Sequence, residues 1–229
     1  MGGNYIAEFP DFRLNANPDM LKRWREIFRS KQHITVPARS AIVEQGKRAR
    51  NLYYIENGLV EYTYIDKDGE QRLIEILGDY CVFPLQPMFG KNAMVGTFLA
   101  LEECTLSVIS VEEVLEYLRQ DSTLALEFLA EFGRISGGHI RQLSMNTVGT
   151  TKRVKQILCL LAEYRLKHTR RGEYPVIGLS QGDLARITKT TRVTITKILS
   201  ELKQENIVKT TYGGLIVTDL KALQQEAYK

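Results

Sequence analysis

The sequence predicts an α+β chain in two parts, a β-rich N-terminal roll and a helical C-terminal domain that ends in a β wing. Short β-rich runs punctuated by glycine fill residues 34–110. Long stretches with apolar residues at helical spacing follow, and near the C-terminus two short helices and a hairpin stand in succession.

The first thirty residues hold no apolar run of signal-peptide length, and no stretch approaches the ~20 apolar residues that span a bilayer. No membrane partner is therefore expected, and the chain reads as cytoplasmic. Cys81, Cys104 and Cys159 show no CxxC spacing and fit free thiols in a reducing compartment. From Ile34 the runs SAIVEQG, NLYYIENGLVEYTYI, DKDGEQRLIEIL and CTLSVIS are rich in strand formers, with Gly46, Gly58, Gly69 and Gly78 marking breaks. Lys67-Asp68-Gly69 signals a hairpin. Repeated short strands with regular turns favour an antiparallel barrel or double-sheet jelly roll.

At Val111 the period changes. Ser110 with Glu113 three positions on predicts a capping box and a helix. A longer helix is expected over about Ser122–Asn146. Its Phe128, Phe132, Ile135, His139 and Gln142 step by 4, 3, 4 and 3, a coiled-coil-like seam, and Leu126, Leu129, Ile140 and Leu143 form a second stripe. Two stripes need two partners, the roll for one and the same helix of a second subunit for the other. The seam from Phe128 to Gln142 is assigned to the homodimer contact; the alternative is that both stripes face the chain's own core. Gly137-Gly138 in mid-helix implies close helix approach or a bend, since each glycine costs about 1 kcal/mol relative to alanine. A short link then leads to a helix with Val154, Ile157, Leu158, Leu161 and Ala162 on one face. The domains so read are 1–110, a sensing roll; 111–146, helices including the dimerisation helix; and 147–229, a DNA-binding domain.

Ser180 and Asp183 predict a second capping box, with Leu184 and Ile187 inward. From Thr188 to Thr196 seven of nine residues are β-branched, which by propensity alone reads as strand. Yet Ile195, Ile198, Leu199 and Leu202 fall at i, i+3, i+4 and i+7, so helix wins. Two short helices joined by a tight turn make a helix-turn-helix whose second member enters the major groove. Its outward residues suit that use: Arg192 can pair with guanine, Val193 can meet a thymine methyl, and Thr196 and Lys197 lie on the same face. NIVKTTYGGLIVTDL reads as a hairpin wing with Gly213-Gly214 at its turn.

Charge agrees with a nucleic-acid partner. Residues 147–229 hold 15 Lys and Arg against 7 Asp and Glu, a net of +8, while the rest of the chain, at 16 against 20, is −4. A basic but merely solvated face is the plainer explanation of charge alone. An enzyme is not expected: residues 34–110 contain no histidine, so the HxH metal pattern of a cupin is missing, and no nucleophile elbow or phosphate-cradling loop occurs.

With these motifs in place, the sequence resembles the CRP/FNR family, the cyclic-AMP receptor protein and FNR type of bacterial transcription regulator. EQGKRARNLYYIENGLVEYTYIDKDGEQRLIEILGDY is similar to that family's cyclic-nucleotide-binding-like roll, and LSQGDLARITKTTRVTITKILSELKQENIV to its winged helix-turn-helix. The resemblance implies a homodimer on a two-fold symmetric double-stranded DNA operator, responsive to a small-molecule effector, with RNA polymerase as a further partner of an activator. It places Arg192, Val193 and Lys197 at base-reading positions, to which the outward face adds Thr196, and Ser180, Thr191 and Thr194 at backbone-contact positions. Lys189 stands where the family often has glycine.

The effector segment GDYCVFPLQPMFGKNAMVGTFLAL departs further. Phe83 stands near the family's ribose-binding glutamate, and Met94-Val95 replace its phosphate-binding Arg-Ser. An anionic phosphate buried without arginine would cost several kcal/mol, so cyclic nucleotide is not the expected effector. Three cysteines are too few for an iron-sulfur cluster, and His33, His139 and His168 are too scattered to argue for haem, so no cofactor or metal is expected. A small, largely apolar effector is expected instead, with Tyr80, Phe83, Met94, Val95 and Phe98 as pocket candidates; the same residues would equally fill the roll's core. The alternatives are a thiol response through Cys81, or regulation without an effector.

Overall fold

A computed structural model describes residues 11–14, 18–90, 93–144, 149–167, 169–171 and 173–228, without the side chains of 11–12, 18–21, 89 and 138–144. The chain divides after Ser144 into two compact units, the second holding the remainder to the C-terminus.

The N-terminal unit is a double-sheet roll, as its glycine-punctuated strands predict. Among the described residues its nine strands are β1 (Asp11–Arg13), β2 (Gln32–Val36), β3 (Ala41–Val43), β4 (Asn51–Asn57), β5 (Val60–Ile65), β6 (Gln71–Leu77), β7 (Val82–Phe83), β8 (Thr97–Ala100) and β9 (Cys104–Ser110). They form a five-stranded sheet in the order β1-β6-β5-β8-β3 and a four-stranded sheet in the order β2-β9-β4-β7. Pairing is antiparallel except for β1, which runs parallel to β6 with Arg13 opposite Leu77. The hairpin read at Lys67-Asp68-Gly69 is present: Gly69 has φ +81, and one Asp66 carboxylate oxygen accepts the amides of Asp68 and Glu70, both at 3.0 Å.

Strand alternation builds two cores. Along β4, Ile55 turns into the roll with Val60, Leu77, Phe83, Phe98 and Leu106, while Leu52 and Tyr54 turn outward. That outer face is covered by α1 (Pro18–Phe28), α2 (Val111–Gln120) and α3 (Ser122–Ser144), through Trp24, Phe28, Val114 and Phe128. Phe28 stacks on Tyr54 at 5.1 Å between centroids, and Trp24 meets Phe128 edge-on at 6.1 Å.

Strand β1 and helix α1 are unannounced in the sequence reading. Proline opens α1, and Trp24 with Phe28 one turn apart supplies its buried face. At α2 the expected capping box is half formed. Ser110 accepts the Glu113 amide at 3.1 Å, whereas the Glu113 carboxylate pairs with Lys31 instead of turning back. Helix α3 starts where expected, capped by Asp121, which accepts the Leu124 amide at 3.0 Å.

The C-terminal unit packs α4 (Thr150–Leu166), α5 (Gln181–Ile187), α6 (Arg192–Gln204) and α7 (Leu220–Tyr228) with a three-stranded sheet. In that sheet β12 (Gly214–Val217) lies between β10 (Val176–Ile177) and β11 (Val208–Thr211). The apolar face read on α4 is its buried one: Val154, Ile157, Leu158, Leu161 and Ala162 are all at most 1% exposed. Lys155 ties α4 to Glu226 of α7 at 2.7 Å.

Phe28→Ala removes the ring that clamps α1 to the outer face of β4, and should cost about 3–5 kcal/mol, read as a lowered denaturation midpoint of the N-terminal unit. A loss below about 1 kcal/mol would mean that α1 is not packed there.

Candidate nucleic-acid interface and ligand cavity

Helix α5 begins with the predicted box. Ser180 Oγ accepts the Asp183 amide at 3.1 Å, and the buried Asp183 carboxylate accepts the Ser180 amide at 3.0 Å. Between α5 and α6, Thr188 is fully buried and its hydroxyl donates to the Leu184 carbonyl at 2.6 Å. Lys189 follows with φ +51. A left-handed backbone costs an L-residue about 1–2 kcal/mol and glycine nothing, which accounts for a glycine preference at this position.

The β-branched run solves a capping problem. Thr191 Oγ1 accepts the Thr194 amide at 3.1 Å and meets the Thr194 hydroxyl at 2.9 Å. Ile195, Ile198, Leu199 and Leu202 are buried, and Arg192, Val193, Thr196, Lys197 and Ser200 are exposed on the far side. Val193, 78% exposed, is an apolar side chain held out in water. The Thr196 hydroxyl is engaged, with Gln181 Oε1 at 2.8 Å and the Arg192 carbonyl at 2.9 Å. Gln181, the first residue of α5, thereby joins the α6 surface; the sequence reading did not select it.

The wing turns at Tyr212-Gly213, one residue earlier than read, with Gly213 at φ +78 and Thr211 paired with Gly214. A cavity of about 460 Å³ lies between the two helices and the wing, lined by Ser180, Gln181, Arg192, Lys203, Thr210 and Thr211 among others. Lys203, Thr210 and Thr211 were likewise not selected from sequence.

In the N-terminal unit a separate cavity of about 290 Å³ is walled by the rings of Tyr62, Phe83, Phe98 and Phe132, with Met94 and Ile135 beside them. Tyr62 stacks on Phe98 at 4.2 Å, and Phe83 lies 4.8 Å from Phe98. The backbone at Gly96 touches β5 so closely that a Cβ would sit 2.3 Å from the Thr63 carbonyl oxygen. One wall is charged. Arg13 of β1 forms a two-pronged pair with Glu75 of β6, its second bond at 3.1 Å, and both side chains are at most 5% exposed. Burial by itself would weaken the guanidinium's hold on its proton. That is the largest single effect, but the Glu75 charge, Cys81, the hydrogen bond to Glu75 and the Glu131 charge together outweigh it and hold the Arg13 pKa above its ordinary value.

Three of the five pocket candidates, Phe83, Met94 and Phe98, line this cavity. The other two are corrected. Tyr80 has φ +70, and its ring lies by Tyr54 and beneath Arg25, in the cluster on the outer face. Val95 is 59% exposed and lies outside the lining. The assignment of the α3 seam is also revised. Phe128 packs against Trp24, and Phe132 and Ile135 face the cavity, so this stripe meets the chain's own roll. Leu126 and Leu129 of the second stripe are 67% and 54% exposed, and a Cβ on Gly133 or Gly137 would meet nothing within 4 Å. Gly137 therefore makes no close approach within the described residues. His139 and Gln142 have side chains outside the described residues.

Cys81 is buried, its thiol donates to the Arg13 carbonyl at 2.9 Å, and burial pushes it up to about 12. A thiol held protonated is a poor nucleophile, so the structure lends the thiol-response alternative no support. Among the described residues no His, Cys, Asp and Glu group could hold a metal, and no helix is long and apolar enough to cross a membrane.

Two family models match the chain. The one described as "Cyclic nucleotide-binding domain" covers residues 33–121, and the one described as "Crp-like helix-turn-helix domain" covers residues 152–226. The transcriptional regulator LdrP of Thermus thermophilus is 28% identical over 201 residues, covering 82% of this chain and 93% of its own. The cAMP-activated global transcriptional regulator CRP of Pasteurella multocida is 23% identical over 195 residues, covering 84% and 92%. A solved CRP-family transcriptional regulator from Thermus thermophilus has the same fold, with a TM-score of 0.67 at 22% identity, covering 86% of this chain and 97% of its own.

Burial raises Cys81, Cys104 and Cys159 alike to about 12. Stability from the protonated thiols is then complete below the unfolded pKa near 9 and is lost as pH rises through the folded value. Iodoacetamide at pH 8 should leave all three unlabelled in the native protein and label them in denaturant, as read by mass spectrometry; a rapidly labelled Cys81 would restore the thiol switch.

Proposed function

The chain belongs to the CRP/FNR family of transcription regulators, and we propose that it reads a two-fold symmetric operator as a cytoplasmic homodimer under the control of a small, non-nucleotide effector. In this reading 1–110 senses, 111–146 dimerises and 147–229 binds DNA, and the protein carries out no catalysis.

The observation that carries the DNA reading is the polarity of α6. Its isoleucines and leucines are buried, and Arg192, Val193 and Lys197 project from the opposite face as a guanidinium, a branched apolar tip and an ammonium. This is the side-chain set that distinguishes base edges in a major groove. Thr196, committed to Gln181, positions that amide and the helix start, and reads a base through its methyl side. Ser180, Thr191 and Thr194 use their hydroxyls in capping, so they contact phosphate through the helix starts they hold in place, whose free amides face the DNA backbone. Lys203 and the wing threonines extend the phosphate track along the groove.

The exposed stripe of α3 supports the dimer reading. Leu126 and Leu129 are apolar and open to water, and Gly133 and Gly137 would let a second helix approach closely. The effector reading rests on the aromatic cavity and on α3, which lends it Phe132 and Ile135. One solved protein of this fold is titled a c-di-GMP-responsive regulator and another is solved in complex with OCPA, which supports a bound small molecule other than cyclic AMP. An activator would in addition meet RNA polymerase.

Genomic footprinting of the purified protein would supply an operator, and anisotropy titrations on that DNA test the assignment. Arg192→Ala should cost about 1–3 kcal/mol and relax preference at one base pair. Lys203→Ala should weaken all sequences alike and lower the salt slope by about one. Unchanged selectivity in an Arg192→Ala/Lys197→Ala variant would remove the reading.

Leu129→Glu should convert the dimer to monomer in sedimentation, with a far larger loss of operator affinity than of half-site affinity, because like charges would face each other across the axis. A Leu129→Glu protein that remained dimeric would place the contact elsewhere.

A further inference from the structure

We infer that the cavity of the N-terminal unit selects an electrically neutral ring compound bearing one hydroxyl or carbonyl group, with the Arg13–Glu75 pair as its polar contact, and that it rejects anions and cations alike. The inference rests on the reading of that cavity as the effector site and specifies what enters it.

The argument is one of charge balance. Arg13 and Glu75 are 5% and 2% exposed and satisfy each other through two bonds, and a third bond joins Arg13 to the Val82 carbonyl at 3.4 Å. The next carboxylate within electrostatic reach of Arg13, Glu131 of α3, is itself gripped by Arg134 at 2.7 and 2.9 Å. Two guanidiniums and two carboxylates cancel. A buried anion would have to displace Glu75 from Arg13 and leave that carboxylate uncompensated, and a buried cation would do the same to the guanidinium. A neutral hydroxyl or carbonyl needs no such exchange. It can share the outer edge of the pair, where charge-assisted hydrogen bonds are strong.

The rest of the lining sets the ring and the size. Tyr62, Phe83 and Phe98 pack on one another, and with Phe132 they make an aromatic wall whose open side suits an apolar ring. About 290 Å³ lies at the lower end of the ~300–1,000 Å³ range of small-molecule sites. Burial, with the Glu75 charge behind it, raises the Tyr62 phenol, which therefore adds no charge of its own. Gln86, the one amide in the wall, is occupied, donating to the Ala93 carbonyl at 2.9 Å and accepting the Val95 amide at 3.3 Å. Ser136 of α3 adds a hydroxyl to the lining.

The test uses the full-length protein and four probes that share one ring: phenethyl alcohol, phenylacetate, phenethylamine and ethylbenzene, with cyclic AMP as a fifth, measured by ligand-observed NMR titration. Phenethyl alcohol should bind at least about tenfold more tightly than either charged analogue and more tightly than ethylbenzene. Tighter binding of phenylacetate or of cyclic AMP would overturn the charge-balance inference and leave the effector site standing. Binding by none of the five would overturn the site itself, and this inference with it. Glu75→Gln, which leaves Arg13 with an uncompensated charge, should turn the preference toward phenylacetate by about tenfold. Should that variant not fold, Arg13→Met/Glu75→Leu replaces the pair with apolar volume. It should bind ethylbenzene as well as the alcohol, and a retained preference for the alcohol would take the polar contact away from the pair.

Discussion

Strand β4, inside the sheet β2-β9-β4-β7, is covered on both faces, and the organisation of the N-terminal unit follows from that. A strand with one solvated face alternates apolar and polar residues, whereas β4 carries large side chains in succession, Leu52, Tyr53, Tyr54 and Ile55, because both of its faces must be filled. The inner face closes the roll around the cavity. The outer face is the floor on which α1, α2 and the first turns of α3 rest. Removing the aromatic layer of Trp24, Phe28, Tyr54 and Phe128 would therefore loosen the helix that lends the cavity Phe132 and Ile135 as well as the outer face itself.

This double burial explains what the sequence disclosed and what it did not. Strands, hairpin and helix starts depend on neighbours within a few residues, so Gly69, Ser110 and Ser180 announce them. The helix-turn-helix was legible for the same reason, down to the capping box and the buried face of α6. The cavity was legible only in part. Phe83, Met94 and Phe98 lie in one segment and could be grouped, but Arg13 and Glu75 are 62 residues apart and meet only because a three-residue strand runs parallel to β6. No local pattern in Asp11–Arg13 predicts that pairing.

The misplacements are equally instructive. Tyr80 stands between two residues of the roll's neighbourhood, yet its left-handed backbone turns its ring to the outer cluster, where Arg25 covers it. The heptad-like seam of α3 was read as a contact between subunits, because a seam of that spacing fits a helix. It fits a roll wall just as well. Periodicity reports that a face is buried and is silent on what buries it, and here Trp24 and the cavity rings do so.

Within the proposed function, α3 is the element that both events share. Its inner stripe closes the cavity, its outer stripe is open for a second helix, and its last described residue, Ser144, is separated from the first residue of α4 by five positions of chain. A ligand biases this helix only to the extent that it binds one of its poses more tightly than another, and a tenfold difference is worth about 1.4 kcal/mol. The cavity is placed to generate such a difference, because Phe132, Ile135 and Ser136 move with α3 whereas Arg13, Glu75 and Phe98 belong to the sheets. A ligand that touches both sets binds best at one spacing between them. In that proposal the signal is carried by the distance between the sheet wall and one helix, with no change needed within the roll.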